Sequence, residues 1–420
     1  MGCFLSTSND SAGHRRKPRN VGEIEVFVPG FRIPKPVDFS EQIGDGLSRS
    51  LVEHLSALRT RIVVMAGQEA PMCVKPRRKA TQHGGSTLAD LQQALEDYLP
   101  VLLGLVEKGN QQHNKLQFSW ANQEDAAEET TMSNSWYEVL SVLHLMSMLL
   151  LSQANSLLLH KASTDGYQLK SSEDCRRDSI DVFLKAAGYL DFAVHHVLPQ
   201  IPPGLSNLRF LKRNLLPFFC RKDLPQDLAE GVLRAFCLQA LGQVIHQGVD
   251  IQLGMAIDSV KATLAVKRRF ACELVKYWNQ TFPLANGWGE KHKLFIEWKY
   301  AEAKAAAYYL HGLILEEGQT EESNEMGEAA LLAADEFLKE SKKACECFHM
   351  APPFSRNPPL WGTSKYLCDR IPKDIPSRVL KNRHLHNHEM ILQTAPALPD
   401  FELSLKPEDY PAAFTGSLME

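Results

Sequence analysis

Cysteines are few in this sequence, and their arrangement argues against a disulfide framework. Nine occur in 420 residues, an odd number, and no two of them form a CxxC pair. Scattered thiols of this kind are typical of a reducing compartment. Alternate histidines at 384, 386 and 388 have no second cysteine or carboxylate pair nearby at metal-ligand spacing, so we predict no metal site.

The sequence also lacks the short motifs that carry common enzyme chemistry. It contains no GxxxxGK[ST] phosphate loop, no GxSxG nucleophile turn, no HExxH zinc motif and no GxGxxG after a strand. These absences leave catalysis without support from sequence motifs.

No excess of positive charge is present. Lys and Arg total 46 against 50 for Asp and Glu, a net charge of -4, which gives no chain-wide attraction to nucleic acid. A basic run at 75–79 lies among proline and glycine and is interpreted as a solvated loop, with a nuclear or nucleic-acid signal as the alternative. The apolar content of 44% is enough for one large core or two smaller ones.

What the sequence does contain begins at its first residues. These fit the N-myristoylation pattern, in which Gly2 is acylated after Met1 is removed and Ser6 helps to select the site. Cys3 is then a candidate for S-palmitoylation. A secretory signal is not expected, because no apolar stretch follows the basic residues of this segment.

A cluster of basic residues follows the acylation pattern: Arg15, Arg16, Lys17 and Arg19. One acyl chain binds a membrane only marginally, at about 0.8 kcal/mol per buried CH₂, so a second signal is needed. Each cation contributes roughly 1 kcal/mol near an anionic leaflet. We predict that 1–20 form a flexible lipidated tail at a membrane surface. The alternative is a disordered basic tail that is never acylated.

One segment is long enough to span a bilayer. The 21 residues of 139–159 contain no Asp, Glu, Lys or Arg. However, the segment carries seven polar side chains that would need hydrogen-bond partners inside the hydrocarbon, among them Ser141, His144 and Asn155. We therefore predict a helix buried among other helices.

Helical periodicity dominates the rest of the chain. Apolar residues three or four apart predict helices over 47–66, 88–106, 135–159 and 180–197, and then over 225–249, 251–282, 290–317 and about 329–349. Pro100 is expected to kink or break the second helix, and the Ser135–Glu138 segment is interpreted as a capping box. The only early strand predicted covers 23–28, and an irregular proline-rich arm is expected after 350. This pattern indicates an α-solenoid or an extended bundle.

Several short motifs along these helices resemble a known family in their order and spacing. They are Phe118-Ser119-Trp120, Tyr137-Glu138, Ala186-Ala187-Gly188-Tyr189-Leu190, the stretch 238–245, the alanine-rich stretch 300–305 and Gly327-Glu328-Ala329. Together they resemble the BRO domain of Alix-like and Brox-like endosomal adaptors. The resemblance implies a BRO domain over 21–411, with a C-terminal tail over 412–420.

This resemblance also implies the fold class and a partner. The fold would be all-α, a curved, banana-shaped α-solenoid with a tetratricopeptide-like helical core and a small N-terminal β element. In the family, a concave apolar patch receives the amphipathic C-terminal helix of an ESCRT-III filament subunit. Carried onto this sequence, the patch comprises Ile245, Val260 and Leu264. For each of the three, ordinary core packing remains the alternative.

The function implied is that of a non-catalytic adaptor in endosomal sorting and membrane remodelling, on the cytosolic face of an endosomal or plasma membrane. No cofactor and no small-molecule substrate are expected. A weak contact with a helix would act together with the lipid anchor, because confinement at a bilayer raises the effective concentration. Two alternatives stay open: a membrane-bound helical-repeat scaffold for an unrelated signalling partner, and a lipid-anchored enzyme of unrecognised class. An exposed apolar groove would favour an adaptor or scaffold, and a deep pocket with converging titratable groups would favour the enzyme.

Overall fold

The structure is a computed structural model that describes the chain in twelve stretches. These are 26–40, 48–69, 88–107, 116–122, 129–158, 172–201, 224–254, 261–284, 289–318, 320–352, 365–386 and 394–410. The predicted tail, with Gly2, Cys3, Arg15, Arg16, Lys17 and Arg19, lies outside the described residues.

Long helices make up most of the described chain. In chain order they are α1 (Arg49–Glu69), α2 (Leu88–Glu107), α3 (Ser135–Leu158), α4 (Ser172–Phe192), α5 (Glu230–Gly254), α6 (Lys261–Leu284), α7 (Glu290–Glu316), α8 (Glu321–Met350) and α9 (Lys365–His386). Each helix packs mainly against the next one in the sequence. This sequential stacking of antiparallel neighbours is the packing of an α-solenoid, which confirms the predicted fold class.

The longest apolar helix, α3, lies in the core. It is the one described helix that is long and apolar enough to cross a membrane, but 78% of its most apolar window is buried inside the protein. Ser141, His144 and Ser147 are completely buried along with its aliphatic residues. The prediction of a core helix over 139–159 is therefore confirmed.

A small antiparallel sheet has the order β1-β2-β3. Its strands are β1 (Arg32–Pro34), β2 (Phe118–Asn122) and β3 (Glu129–Met132). Of the strand predicted over 23–28, the described residues 26–28 are not in a strand and bond to helices instead. The Val26 amide donates to Asn155 Oδ1 at 3.0 Å, and the Phe27 carbonyl accepts from Gln239 Nε2 at 2.9 Å.

Buried ion pairs connect this sheet to the helices. Arg32 of β1 donates to both carboxylate oxygens of Asp227 at 2.6 Å, and Arg59 of α1 pairs with Glu138 of α3. Glu138 also accepts from the Trp120 indole at 2.7 Å. Each of these charges is buried with an opposite charge, as burial requires.

The predicted capping box at the start of α3 is wrong in its details. Asn134, one residue earlier, is the cap, because its Oδ1 accepts from the Trp136 amide at 2.7 Å. Glu138 does not act as the reciprocal capping residue, since its carboxylate binds Arg59 and Trp120.

Prolines break fewer helices than the sequence predicts. Helix α2 continues through Pro100, and α9 runs through Pro372 and Pro376, where an irregular arm was expected. Three apolar residues of α9, one helical turn apart, explain this helix: Leu367, Ile371 and Ile375 are all buried. Because α9 packs against α8, the burial of this stripe offsets the local cost of the prolines.

The last described stretch is extended. We call its residues 400–410 the strap, because they cross α6 and α4. Ser404 bonds to Glu273 of α6, and the Glu408 amide donates to the Leu184 carbonyl of α4 at 3.4 Å.

Candidate partner-binding face

The structure places the three predicted patch residues differently. Ile245 lies on α5, is 3% exposed and is packed in the core, whereas Leu264 lies on α6 and is only partly buried. Val260 lies outside the described residues. A role for any of the three in partner binding stays a prediction.

Leu264 lies at one end of the face where α6 and α7 meet. Two contacts fix the antiparallel register of these helices: the Tyr300 hydroxyl donates to Asn279 Oδ1 at 3.1 Å, and Arg268 donates to His311 Nδ1 at 3.3 Å. One helical turn beyond Arg268, the same register places Leu264 of α6 opposite Leu315 of α7, which is also partly buried. The face therefore has an aliphatic end.

An aromatic stripe occupies the middle of the same face. We use this name for Tyr300, Lys304 and Tyr308 of α7 together with Phe337 of α8, all partly exposed. Tyr308 stacks on Phe337 with ring centroids 5.4 Å apart. The Lys304 Nζ lies 4.2 Å from the Tyr300 ring centroid and 4.7 Å from that of Phe337. Lys304 is thus held by two cation–π contacts.

Two pKa shifts keep titratable side chains of this face uncharged near pH 7. Burial, with further repulsion from the Tyr300 and Cys272 groups, raises the pKa of Tyr308, so its phenol stays protonated. Burial and the neighbouring Arg268 lower the pKa of His311, so its imidazole is neutral. The charges that remain among these residues are the cations of Arg268 and Lys304.

This arrangement is suited to binding an amphipathic helix. Partly exposed aromatic rings offer a large apolar area, and one helical turn separates Tyr300, Lys304 and Tyr308. A ligand helix with apolar residues at the same repeat could contact the rings in series. Lys304, already beside two rings, would favour an acidic side chain next to the apolar ones.

The buried histidines of the helical core have no arrangement suited to catalysis. His292 is stacked between Phe27 and Phe236 and contacts Gln239 at 2.7 Å, while burial lowers its pKa to about 3. His144 is also fully buried, and burial lowers its pKa to about 4. Both are neutral side chains packed in the interior near pH 7.

Within the described stretches, no group of three or more His, Cys, Asp or Glu side chains could hold a metal ion. Cys345 is buried and Cys347 is exposed, so these two thiols of α8 face different ways. The side chains of His384, His386 and His388 lie outside the described part.

The aromatic stripe was missed as a site by the sequence interpretation. The stretch 300–305 was used only as a mark of family resemblance. Its signal is nevertheless present in the sequence, because Tyr300, Lys304 and Tyr308 recur every four residues in an alanine-rich helix. Phe337 could not have been added, because only the packing of α8 on α7 brings it to Tyr308.

Comparisons by sequence find nothing similar: no protein-family model matches the chain, and no curated protein matches it either. Comparisons by structure do find similar folds. A Bro1 domain structure that concerns endosomal targeting matches with a TM-score of 0.55 and 13% identity, over 89% of this chain and 90% of that one.

Two structures of ALIX are also similar. The complex of its BRO1 domain with CHMP4C matches with a TM-score of 0.58 and 12% identity, over 94% of this chain and 98% of that one. ALIX bound to the SIVmac239 PYKEVTEDL late domain matches with a TM-score of 0.57 and 15% identity, over 92% of this chain. In that last case the match spans 49% of the ALIX chain, about half its length. Sequential helix packing, the small sheet and the extent of these matches show that this chain has the BRO domain fold.

Proposed function

We propose that this protein is a non-catalytic adaptor whose BRO domain binds an amphipathic helix from an ESCRT-III subunit. The observation that carries the proposal is the partly exposed aromatic stripe on a BRO fold that matches the CHMP4C-bound domain of ALIX over 94% of this chain. The expected site of action is the cytosolic surface of an endosomal or plasma membrane, where the protein would support endosomal sorting and membrane remodelling.

The proposed binding has an apolar and an electrostatic part. Apolar residues of the ligand helix would cover Tyr308 and Phe337 and reach toward Leu264, while an acidic residue would approach Lys304. A few such anchors usually contribute most of the affinity, and the surrounding contacts exclude water. The N-terminal acyl group and the basic residues at 15, 16, 17 and 19 would add a second attachment at the membrane, so two weak contacts act together.

A charge reversal at Lys304 tests the site. Fluorescence anisotropy would measure the affinity of a labelled ESCRT-III C-terminal helix for the full chain. Lys304→Glu should weaken binding at least 10-fold, since it places a carboxylate between two rings and beside the acidic ligand.

Lys293→Glu is the matched control. Lys293 lies on the same helix, about three turns before Lys304, and pairs with Glu297 at a distance of 3.8 Å. Its reversal changes the net charge equally and should leave the affinity within about 2-fold. Equal losses of affinity in the two variants would show that only the net charge of the protein matters. That result would contradict binding at the aromatic stripe.

A further inference from the structure

The strap occupies a groove on the protein as a peptide ligand would. Apolar residues alternate with exposed ones along its extended backbone, and the apolar residues pack against the helical core. They are Phe401, Leu403, Leu405 and, at the end, Tyr410. This period of two is that of a strand with one face buried. Within the described stretches, no neighbouring strand pairs with the strap. Its hydrogen-bond partners there lie on helices α4 and α6.

Several polar contacts of the strap involve its main chain. The Tyr277 hydroxyl donates to the Leu405 carbonyl at 3.1 Å, and Lys276 Nζ donates to the Phe401 carbonyl. The buried carboxylate of Glu273 accepts from the Ser404 amide at 3.2 Å and from its hydroxyl at 2.6 Å. Groups that bind the carbonyls and amides of a peptide main chain can bind many sequences. The groove therefore selects mainly for an extended peptide conformation.

Gly188 of α4 allows the backbone of the strap to lie close to this helix. A Cβ at this position of α4 would overlap the Glu408 carbonyl oxygen, and the three nearest atoms to it all belong to Glu408. Glycine is unfavourable inside a helix compared with alanine, so its presence here needs a reason. The close approach of the strap supplies that reason.

The strap fills the end of its groove incompletely. Tyr410 packs on Phe192 and Tyr189, with ring centroids 4.6 and 5.5 Å apart, but a cavity of about 270 Å³ remains beside it. Leu99 and Met146 form apolar parts of its wall, and Glu96, paired with Lys185, lies at its edge. A ligand with a larger aromatic residue at this position would bury more surface than the strap does.

We propose that this groove on α4 and α6 is a binding site for an extended peptide, and that the strap is its resident, displaceable occupant. The partner is a segment with aliphatic or aromatic residues at alternate positions and a closing aromatic residue that enters the cavity. The site is separate from the aromatic stripe: Glu273, Lys276 and Tyr277 contact the strap, whereas Arg268 and Asn279 contact α7.

The test uses the full chain and a labelled peptide with the sequence of residues 400–410. Three substitutions, Phe401→Asp, Leu403→Asp and Leu405→Asp, release the strap and leave the groove intact. This variant should bind the peptide at least 10-fold more tightly than the unmodified chain, in which the tethered strap competes. Adding Gly188→Ala should lower the affinity of the released variant at least 10-fold, because the new Cβ meets the peptide carbonyl.

Three results would overturn the proposal. The released variant could fold cooperatively and fail to bind, or its affinity could be unchanged when Gly188→Ala is added. It could also fail to fold, which would make the strap an integral part of the core. Amide hydrogen exchange of the unmodified chain gives an independent check: Ser404 and Glu408 should exchange faster than buried amides of α6, and exchange at the rate of global unfolding would contradict displacement.

Discussion

Among single residues, the buried charges depend most strictly on a particular partner. Arg32 binds Asp227 across 195 positions of sequence and also donates to Thr130 and Tyr137. Removing one partner of such a pair leaves an uncompensated charge in the interior and costs about 3–5 kcal/mol. The pairing could not be predicted from the sequence, since nothing local to Arg32 points to a residue so distant along the chain.

Some residue-scale features were predictable. The polar content of 139–159 correctly indicated a helix packed among other helices, in which Ser141, His144 and Ser147 are all buried. The roles of Glu138 and Gly188 were not predictable, because each is explained by a segment that the fold brings in from elsewhere: Arg59 and Trp120 for the first, and the strap for the second.

His144 gives a pH prediction. Its ordinary pKa of 6.5 falls to about 4 in the folded protein because burial disfavours the charged ring, and neither ring nitrogen has a hydrogen-bond partner within the described stretches. Below pH 6.5 the unfolded chain binds a proton at this residue that the folded chain does not, so stability falls as the pH drops toward 4.

Urea unfolding at pH 7 and pH 5 measures this effect. Between these values the protein should lose about 2 kcal/mol more stability than its His144→Met variant does. His292 is present in both proteins and so cancels in the comparison. Equal losses would show that His144 is not responsible.

At the scale of elements, one close contact between helices involves two glycines. A Cβ on Gly312 of α7 would lie 2.8 Å from the Leu331 side chain and 3.0 Å from the Gly327 carbonyl oxygen of α8. The two backbones can approach this closely only without side chains at these positions.

Substitution of glycine by alanine tests that packing. Gly312→Ala should lower the free energy of unfolding by about 1–3 kcal/mol, because the added methyl group forces the helices apart. Gly104→Ala in α2 is the control: nothing lies within 4 Å of its Cβ position, and the better helix propensity of alanine should raise stability by up to about 1 kcal/mol. Thermal or urea denaturation measures both, and a neutral Gly312→Ala would contradict the close packing.

Helix periodicity predicted most of the long elements, and the failures have a common cause. The strands of four and five residues at 129–132 and 118–122 are too short for a period to show. Helix α9 contains two prolines, and only its burial against α8 makes it stable. Tertiary contacts determine that each of these elements forms. The other long helices form where the local sequence has an amphipathic pattern, so they could be predicted from it.

At the scale of the whole molecule, the proposal requires attachment to a membrane. Gly2→Ala removes the acceptor amine for myristate and should move the full chain from the membrane to the soluble fraction on cell fractionation. With Gly2 intact, reversal of the basic charges at 15, 16, 17 and 19 should move only part of the protein to the soluble fraction. Each cation lost removes about 1 kcal/mol of attraction to an anionic membrane. Unchanged membrane association of Gly2→Ala would refute the lipid anchor.

The central claim is that an open face of the solenoid, extending to Leu264, binds an amphipathic helix. The most direct measurement is calorimetric titration of an ESCRT-III C-terminal helix into Leu264→Asp and Val266→Asp, with thermal denaturation of both. Val266 lies two positions along α6 and is 46% exposed, so it carries the same change of charge on another side of the helix. The account predicts that Leu264→Asp abolishes binding with an unchanged melting temperature while Val266→Asp binds normally. Full binding by Leu264→Asp, or a large loss of its stability, would contradict it.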